Sequence, residues 1–382
     1  MDRLGTETAF DVLVKARSLE AEGKDVIHLE IGEPDFDTPP NIVDAAVRAL
    51  RDGHTHYTPS PGIPELRQAI AEEIAATRGI EVDLNEIVVT PGAKPIMFFS
   101  LLALAEQGDE VIYPDPGFPI YKSVIDFVGA KAVPLPLREE LGFRFDMDEL
   151  RAKINSHTKL LIVNSPHNPT GGVLSEDDLK AIAGLAESFD FTILSDEVYS
   201  RILYEGKHAS IASLPGMKER SIILEGFSKT YSMTGWRLGY GVMPVDLADQ
   251  ISRLMTNSNS CTAAFTQWGG IEALSGPQDA SEAMVEAFRE RRDAVVAGLN
   301  DIPGISCFLP KGAFYVFPNV EGVGMDADRF ADHLLNEAGV ALLSGTAFGA
   351  YGKGFLRISY ANSMENLIRA VARISDVVNR IG

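Results

Sequence analysis

Apolar residues fall along most of this chain in two alternating patterns. Short continuous runs read as strands: Ile87-Val88-Val89, Glu110-Val111-Ile112-Tyr113, Leu160-Leu161-Ile162-Val163, Phe191-Thr192-Ile193-Leu194, Ile222-Ile223-Leu224 and residues 239–243. They lack the in-out alternation of a half-exposed strand, so they suit strands buried on both faces, as in a parallel sheet covered by helices. Pro114 reads as the end of the second run. Between the runs lie segments of helical character. Residues 42–51 are closed by Gly53, and residues 64–77 are opened by Pro64 and closed by Gly79. A further helix spans about 94–105, and another runs to about Ser188 behind a capping pair, Ser175 and Asp178. This alternation predicts an α/β fold: a mostly parallel sheet sandwiched by helices.

The last hundred residues read differently. A long helix over about 282–299 precedes strand-like pieces near Ile305 and at Phe314-Tyr315-Val316-Phe317. A helix over 327–337, a strand over 355–359 and a closing helix after Ser363 complete a smaller α+β unit. The first forty or so residues are too few to stand alone and are expected to pack with it. The predicted organisation is an N-terminal arm and part of the small domain (1–43), a large domain (44–284) and a C-terminal small domain (285–382).

Composition narrows the function. The 382 residues suffice for two domains, and 45% are hydrophobic. The net charge of −20 argues against a nucleic-acid partner or an anionic membrane surface, so a small anionic ligand must find cations in its own site. The two cysteines, Cys261 and Cys307, form no Cys-x-x-Cys motif and suit a reducing compartment. The N-terminus lacks a signal-peptide pattern and no apolar run approaches a membrane span, so the expected address is the cytoplasm. The seven histidines show no metal-binding spacing, and neither a Gly-x-Gly-x-x-Gly turn nor a Walker loop is present.

The polar residues of interest follow strand carboxyl ends: Asn164, Asp196, Ser228 and Lys229. In open α/β sheets the ligand crevice lies beyond those ends. Ser228-Lys229-Thr230 with Arg237 supplies an amine for an imine, plus a hydroxyl and a fixed cation for a phosphate. Lys229 is also a candidate base for a substrate Cα proton, although such a triplet alone is common on surfaces. Asp196 suits a carboxylate that keeps a pyridine nitrogen protonated, or a simple helix cap. Tyr199 and Asn168 are placed to reach a phenolic oxygen on that ring. The plain alternatives are a half-buried aromatic and a turn containing two X-Pro bonds. Gly92-Ala93-Lys94 opens a helix whose free N–H groups suit a phosphate. Arg357, in an apolar strand, needs an anionic partner: a substrate carboxylate or an internal salt bridge.

Taken together, these segments resemble the class I/II aminotransferases of fold type I, the aspartate aminotransferase-like enzymes that depend on pyridoxal phosphate. The resemblance covers residues 31–39, 57–67, 92–94, 164–171, 195–199, 228–237, 312–315 and 357–361, with 33 positions from Asp196 to Lys229 and eight more to Arg237. It implies a cofactor joined to Lys229 as an imine, with Asp196 on its ring nitrogen and Asn168 and Tyr199 on its phenolic oxygen. Ser228, Arg237 and the amides of Ala93 and Lys94 would hold its phosphate. Phe118 would stack on its ring, where many relatives carry tryptophan. Tyr57 would reach the cofactor phosphate of a neighbouring subunit, making a homodimer with shared active sites. Arg357 would clamp the substrate α-carboxylate, helped by Gly32 and Asn168. Ser344 stands where proline is usual. The implied activity moves an amino group between an L-amino acid and a 2-oxo acid through ping-pong aldimine and ketimine steps. Lys94 matches a lysine that relatives acting on acidic substrates aim at the distal carboxylate, which points to aspartate or glutamate; a phosphate-loop cation or a solvated lysine is the alternative. A lyase catalysing β-elimination or carbon–sulfur cleavage would share this site. A non-catalytic sensor of the same fold fits less well, because such regulators usually carry a basic DNA-binding module ahead of it.

Overall fold

Twelve strands form among residues 3–381, the residues described by this computed structural model. In chain order they are β1 (Ile27–His28), β2 (Ile87–Thr90), β3 (Glu110–Asp115), β4 (Lys131–Pro136), β5 (Thr158–Asn164) and β6 (Thr192–Asp196). Then come β7 (Ser221–Gly226), β8 (Gly239–Val242), β9 (Tyr315–Val316), β10 (Val340–Ala341), β11 (Leu343–Ser344) and β12 (Leu356–Ser359). Seven of them build the central sheet in the order β2-β8-β7-β6-β5-β3-β4. Its pairings are parallel from β4 through β3, β5 and β6 to β7, whereas β8 runs antiparallel to both β7 and β2. Every residue of β2, β3, β7 and β8 is buried, as continuous apolar runs covered on both faces require.

Two departures from the sequence reading involve proline. β3 continues through Pro114 to Asp115. The Glu110 N–H points toward β5, donating to His157 O, whereas Asp115 O accepts from Leu137 beyond β4. By alternation Pro114 also faces the β5 side, where the register has already ended at Ile112 opposite Leu161, so its missing N–H costs no ladder bond. β4, with Pro134 and Pro136, was not foreseen as a strand; it survives as the sheet's edge, where an absent donor is tolerated. Near Ile305 there is no strand, only an isolated bridge between Ser306 and Asn319. The long helix is Asp279–Asn300, slightly longer than expected. The helix Pro64–Arg78 ends on Gly79 in the left-handed region (φ 68°), and Ser175 and Asp178 form a reciprocal capping box.

A second layer joins the two ends of the chain. β1 pairs parallel with β10, and β11-β12-β9 make an antiparallel sheet. One apolar cluster holds Ile27 and Leu29 together with Phe288, Phe314, Tyr360 and Ile374. No helix among the described residues is long and apolar enough to cross a membrane.

Candidate active site

The sheet brings its functional residues to one edge. Asn164 at the end of β5 lies opposite Asp196 at the end of β6. β7 ends at Gly226, and the short helix Phe227–Thr230 that follows carries Ser228 and Lys229. β8 runs the other way, so its first residue, Gly239, sits beside Thr90 and Gly226 at this same edge. Arg237, two residues earlier, therefore arrives here as well; a parallel β8 would have left it at the opposite edge. These residues surround a cavity of about 500 Å³ lined by Gly32, Ala93, Lys94, Phe118, Asn168, Asp196, Tyr199, Ser228, Lys229, Arg237 and Arg357. Of the sequence-predicted residues, only Tyr57 lies outside this lining, and it is 89% exposed.

Lys229 donates from Nζ to Gly32 O at 2.5 Å and has no carboxylate within ion-pair distance among the described residues. Burial pushes its amine down from 10.5 to about 8; the Arg357 and Arg237 charges act in the same sense, against Glu33 and Glu7. A lowered amine pKa means that the neutral, nucleophilic form appears at lower pH. Modification of Lys229 by a small acylating reagent, followed by peptide mapping, should rise with pH through about 8 and then level. A midpoint near 10.5 would contradict this electrostatic account.

Asp196 is buried. It accepts a hydrogen bond from the Tyr121 hydroxyl at 2.5 Å and one from Val198 N–H at 3.4 Å. Burial raises its carboxyl to about 7; the two hydrogen bonds oppose that rise, and the Glu225 and Glu197 charges add to it. The helix-cap alternative fails: a turn, not a helix, follows β6, and the 3.4 Å bond from Val198 N–H lies in that turn. An entering cation would draw this carboxyl back to its ionised form. Glu197 is engaged elsewhere, with Arg78 at 3.1 Å and His208 at 2.9 Å.

Arg357 projects from β12 and is buried between the rings of Tyr315 and Phe348, at 4.7 and 4.8 Å. Its Nη1 donates to Asn168 Oδ1 at 3.3 Å and its Nη2 donates to Glu30 O, while Nε has no partner among the described residues. No carboxylate pairs with it among the described residues, so the internal salt bridge considered from sequence is absent. Asn168 is itself positioned: its N–H donates to Asn164 Oδ1 at 2.9 Å, and Asn164 Nδ2 donates to Asp196 O at 3.0 Å. The peptide bonds before both Pro166 and Pro169 are cis.

Arg237 adopts a left-handed φ of 54° and, among the described residues, donates only to backbone carbonyls, Thr234 O at 2.7 Å and Pro91 O at 3.4 Å. Two glycines allow this crowding. A Cβ on Gly92 would collide with the Arg237 guanidinium, and one on Gly239 would collide with the backbone of Ala93. Ser228, Arg237 and the residues Ala93 and Lys94 at the start of the helix Lys94–Leu104 thereby meet at one corner of the cavity, where the Ala93 and Lys94 N–H groups suit an anion; Pro95 has no N–H, and that of Ile96 is donated to Ala93 O. The Tyr199 hydroxyl pairs with that of Tyr315 at 2.8 Å. Ser344 keeps the proline-like φ of −64° and caps the turn Gly345–Phe348.

Several lining residues had no role in the sequence reading. Tyr315 lay within a quoted segment, and Asn164 was noted only as a strand-end polar residue. Tyr121 had no signal beyond its nearness to Phe118, whose ring it meets edge-on at 5.7 Å. Glu7 and Glu33 also line the cavity.

Comparison with known proteins shows the family. Residues 24–374 match the family described as aminotransferase class I and II. An aspartate aminotransferase of Pyrococcus horikoshii is 46% identical over 354 residues, 92% of this chain and 90% of that one. The aromatic-amino-acid aminotransferase 2 of Thermococcus litoralis is 41% identical over 357 residues, 92% of each chain. The structure of Thermus thermophilus aspartate aminotransferase with maleate superposes with a TM-score of 0.94 at 39% identity, covering 99% of both chains. With its cavity at the strand ends and these likenesses along almost its whole length, the chain belongs to the class I and II aminotransferases.

Proposed function

We propose that this aminotransferase uses pyridoxal 5′-phosphate to move the amino group of an L-amino acid to a 2-oxo acid, and that it works as a cytoplasmic homodimer. One observation carries the reading most directly. Among the described residues, a buried guanidinium without a carboxylate partner, Arg357, shares one cavity with an amine that also lacks one, Lys229. Such a pair suits a substrate bearing both a carboxylate and an amino group.

The residues present fit the cofactor group by group. The Asp196 carboxyl, already bonded by Tyr121, suits a protonated pyridine nitrogen. The Ser228–Arg237 cradle suits the phosphate, the Phe118 face suits the ring, and Tyr199 and Asn168 suit its phenolic oxygen. When bound, the cofactor supplies an aldehyde carbon for amines and a ring that takes up the electron pair left as substrate Cα loses its proton. The protein's part is then positional and proton-handling. Arg357 and Asn168 hold the α-carboxylate. Lys229, with its amine lowered to about 8, accepts the Cα proton and later returns it. Phe118 and Tyr315 supply aromatic faces to the lining of this space.

The exposure of Tyr57, away from its own chain's cavity, supports a role in a neighbouring subunit. The decisive assay supplies the holoenzyme with each of the twenty amino acids and with 2-oxoglutarate, oxaloacetate or pyruvate as acceptor. Transamination yields a new oxo acid and a new amino acid without free ammonia. Ammonia release without an acceptor would indicate a lyase, and cofactor binding without turnover would indicate a sensor. Relatives named for aspartate and for aromatic amino acids leave the side-chain preference to the cavity itself.

A further inference from the structure

The charges in the cavity bear on which side chain it accepts, given the transaminase reading above. Three of its cations already have tasks: Lys229 as amine, Arg237 at the anion cradle and Arg357 at the α-carboxylate. Among the anions, Asp196 is taken by the ring-nitrogen position and Glu33 is bonded by the Thr234 hydroxyl. Among the described lining residues, that leaves one cation, Lys94, and one anion, Glu7, and these two are paired with each other.

Glu7 is committed to this pairing in a way its position in the chain does not require. It stands at the N-cap of the helix Thr8–Ala21 yet makes no capping hydrogen bond, so its carboxylate faces the cavity instead. The segment bearing it is anchored, because Gly5 N–H donates to Ser123 Oγ at 2.8 Å. The Glu7 charge also reaches Lys229 and Arg357, favouring the charged form of each. The Lys94 ammonium lies 5.3 Å from the centre of the Phe118 ring, and Phe10 and Met97 complete an apolar wall nearby.

We propose that Glu7 sets the side-chain specificity of this site. By neutralising Lys94 it disfavours dicarboxylic amino acids and leaves a charge-neutral distal subsite for aromatic or aliphatic side chains. A second substrate carboxylate can reach Lys94 only by displacing Glu7 or by lying against it, and either course leaves two anions competing for one cation. A neutral side chain leaves the pair intact and gains the apolar wall. The Lys94 side chain is 47% exposed, so water screens the penalty and the discrimination is moderate rather than absolute.

The test compares wild-type, Glu7→Gln, Lys94→Met and doubly substituted holoenzymes. Glu7→Gln should raise the kcat/KM ratio of aspartate to phenylalanine about tenfold. Calorimetric titration should show succinate binding tightened relative to 3-phenylpropanoate by a similar factor. Both gains should vanish when Lys94 is methionine. An unchanged or lowered ratio overturns the proposal, and so does a gain that persists without Lys94. Should no amino acid be turned over at all, the transaminase reading fails, while the two carboxylate titrations still judge Glu7. Glu7→Ala provides a second variant if the glutamine protein folds poorly.

Discussion

Lys229→Ala should lose transamination by roughly 10²–10⁴-fold from the missing proton transfer alone, with the lost covalent attachment adding to that. The same variant should still retain pyridoxal 5′-phosphate. The cradle of Ser228, Arg237 and the helix Lys94–Leu104, the Asp196 carboxyl and the Phe118 face do not depend on the lysine amine. The expected protein therefore holds the cofactor without a bond to it, and borohydride followed by peptide mapping finds no label. No other lysine is available as an easy substitute: Lys94, the other lysine of the lining, is paired with Glu7 at the cavity wall. Turnover within tenfold of wild type, or a label mapped to a different residue, would remove the basis of the proposed chemistry.

Arg357→Ala should cost about 2–5 kcal/mol in kcat/KM, roughly 30-fold to several thousand-fold. The loss should be similar for aspartate, phenylalanine and alanine, because the α-carboxylate is common to all of them. That uniformity separates Arg357 from Glu7 and Lys94, whose substitution changes the ratio between substrates. Arg357→Lys should recover only part of the loss, since a point charge cannot reproduce two parallel hydrogen bonds. Stability should respond differently. Burial already opposes the guanidinium's charge, and the Glu7 and Glu30 charges, neither in ion-pair contact with it, offset that cost only in part in the free protein. Removing it relieves an unpaired buried cation while opening a small void between Tyr315 and Phe348, so thermal melting should shift little compared with activity. A large drop in melting temperature, or a loss confined to dicarboxylates, would show that Arg357 serves packing or side-chain recognition instead.

Much of this molecule was legible before any coordinates because its signals are local. The apolar runs of β2, β3, β5, β6, β7 and β8 are local, as are the proline and glycine bounding the helix Pro64–Arg78 and the Ser175–Asp178 cap. Residue types at the strand ends are local too, so Asp196, Lys229 and Asn168 stood out. β4 was missed because its two prolines are tolerated only at an edge, and no local pattern states that a strand lies at an edge. Tyr121 was missed because its hydroxyl meets Asp196 across 75 positions of sequence.

The order and spacing of residues along the chain were enough to determine the α/β layering, the aminotransferase family and the residues worth testing. Tertiary structure alone decided which way β8 runs, and with it the arrival of Arg237 at the cavity. It also decided that Arg357 has no carboxylate partner among the described residues and that Lys94 is paired with Glu7. The reason is physical. Secondary structure follows from neighbours a few residues apart, whereas the charge state of a cavity depends on which distant side chains share the same low-dielectric space.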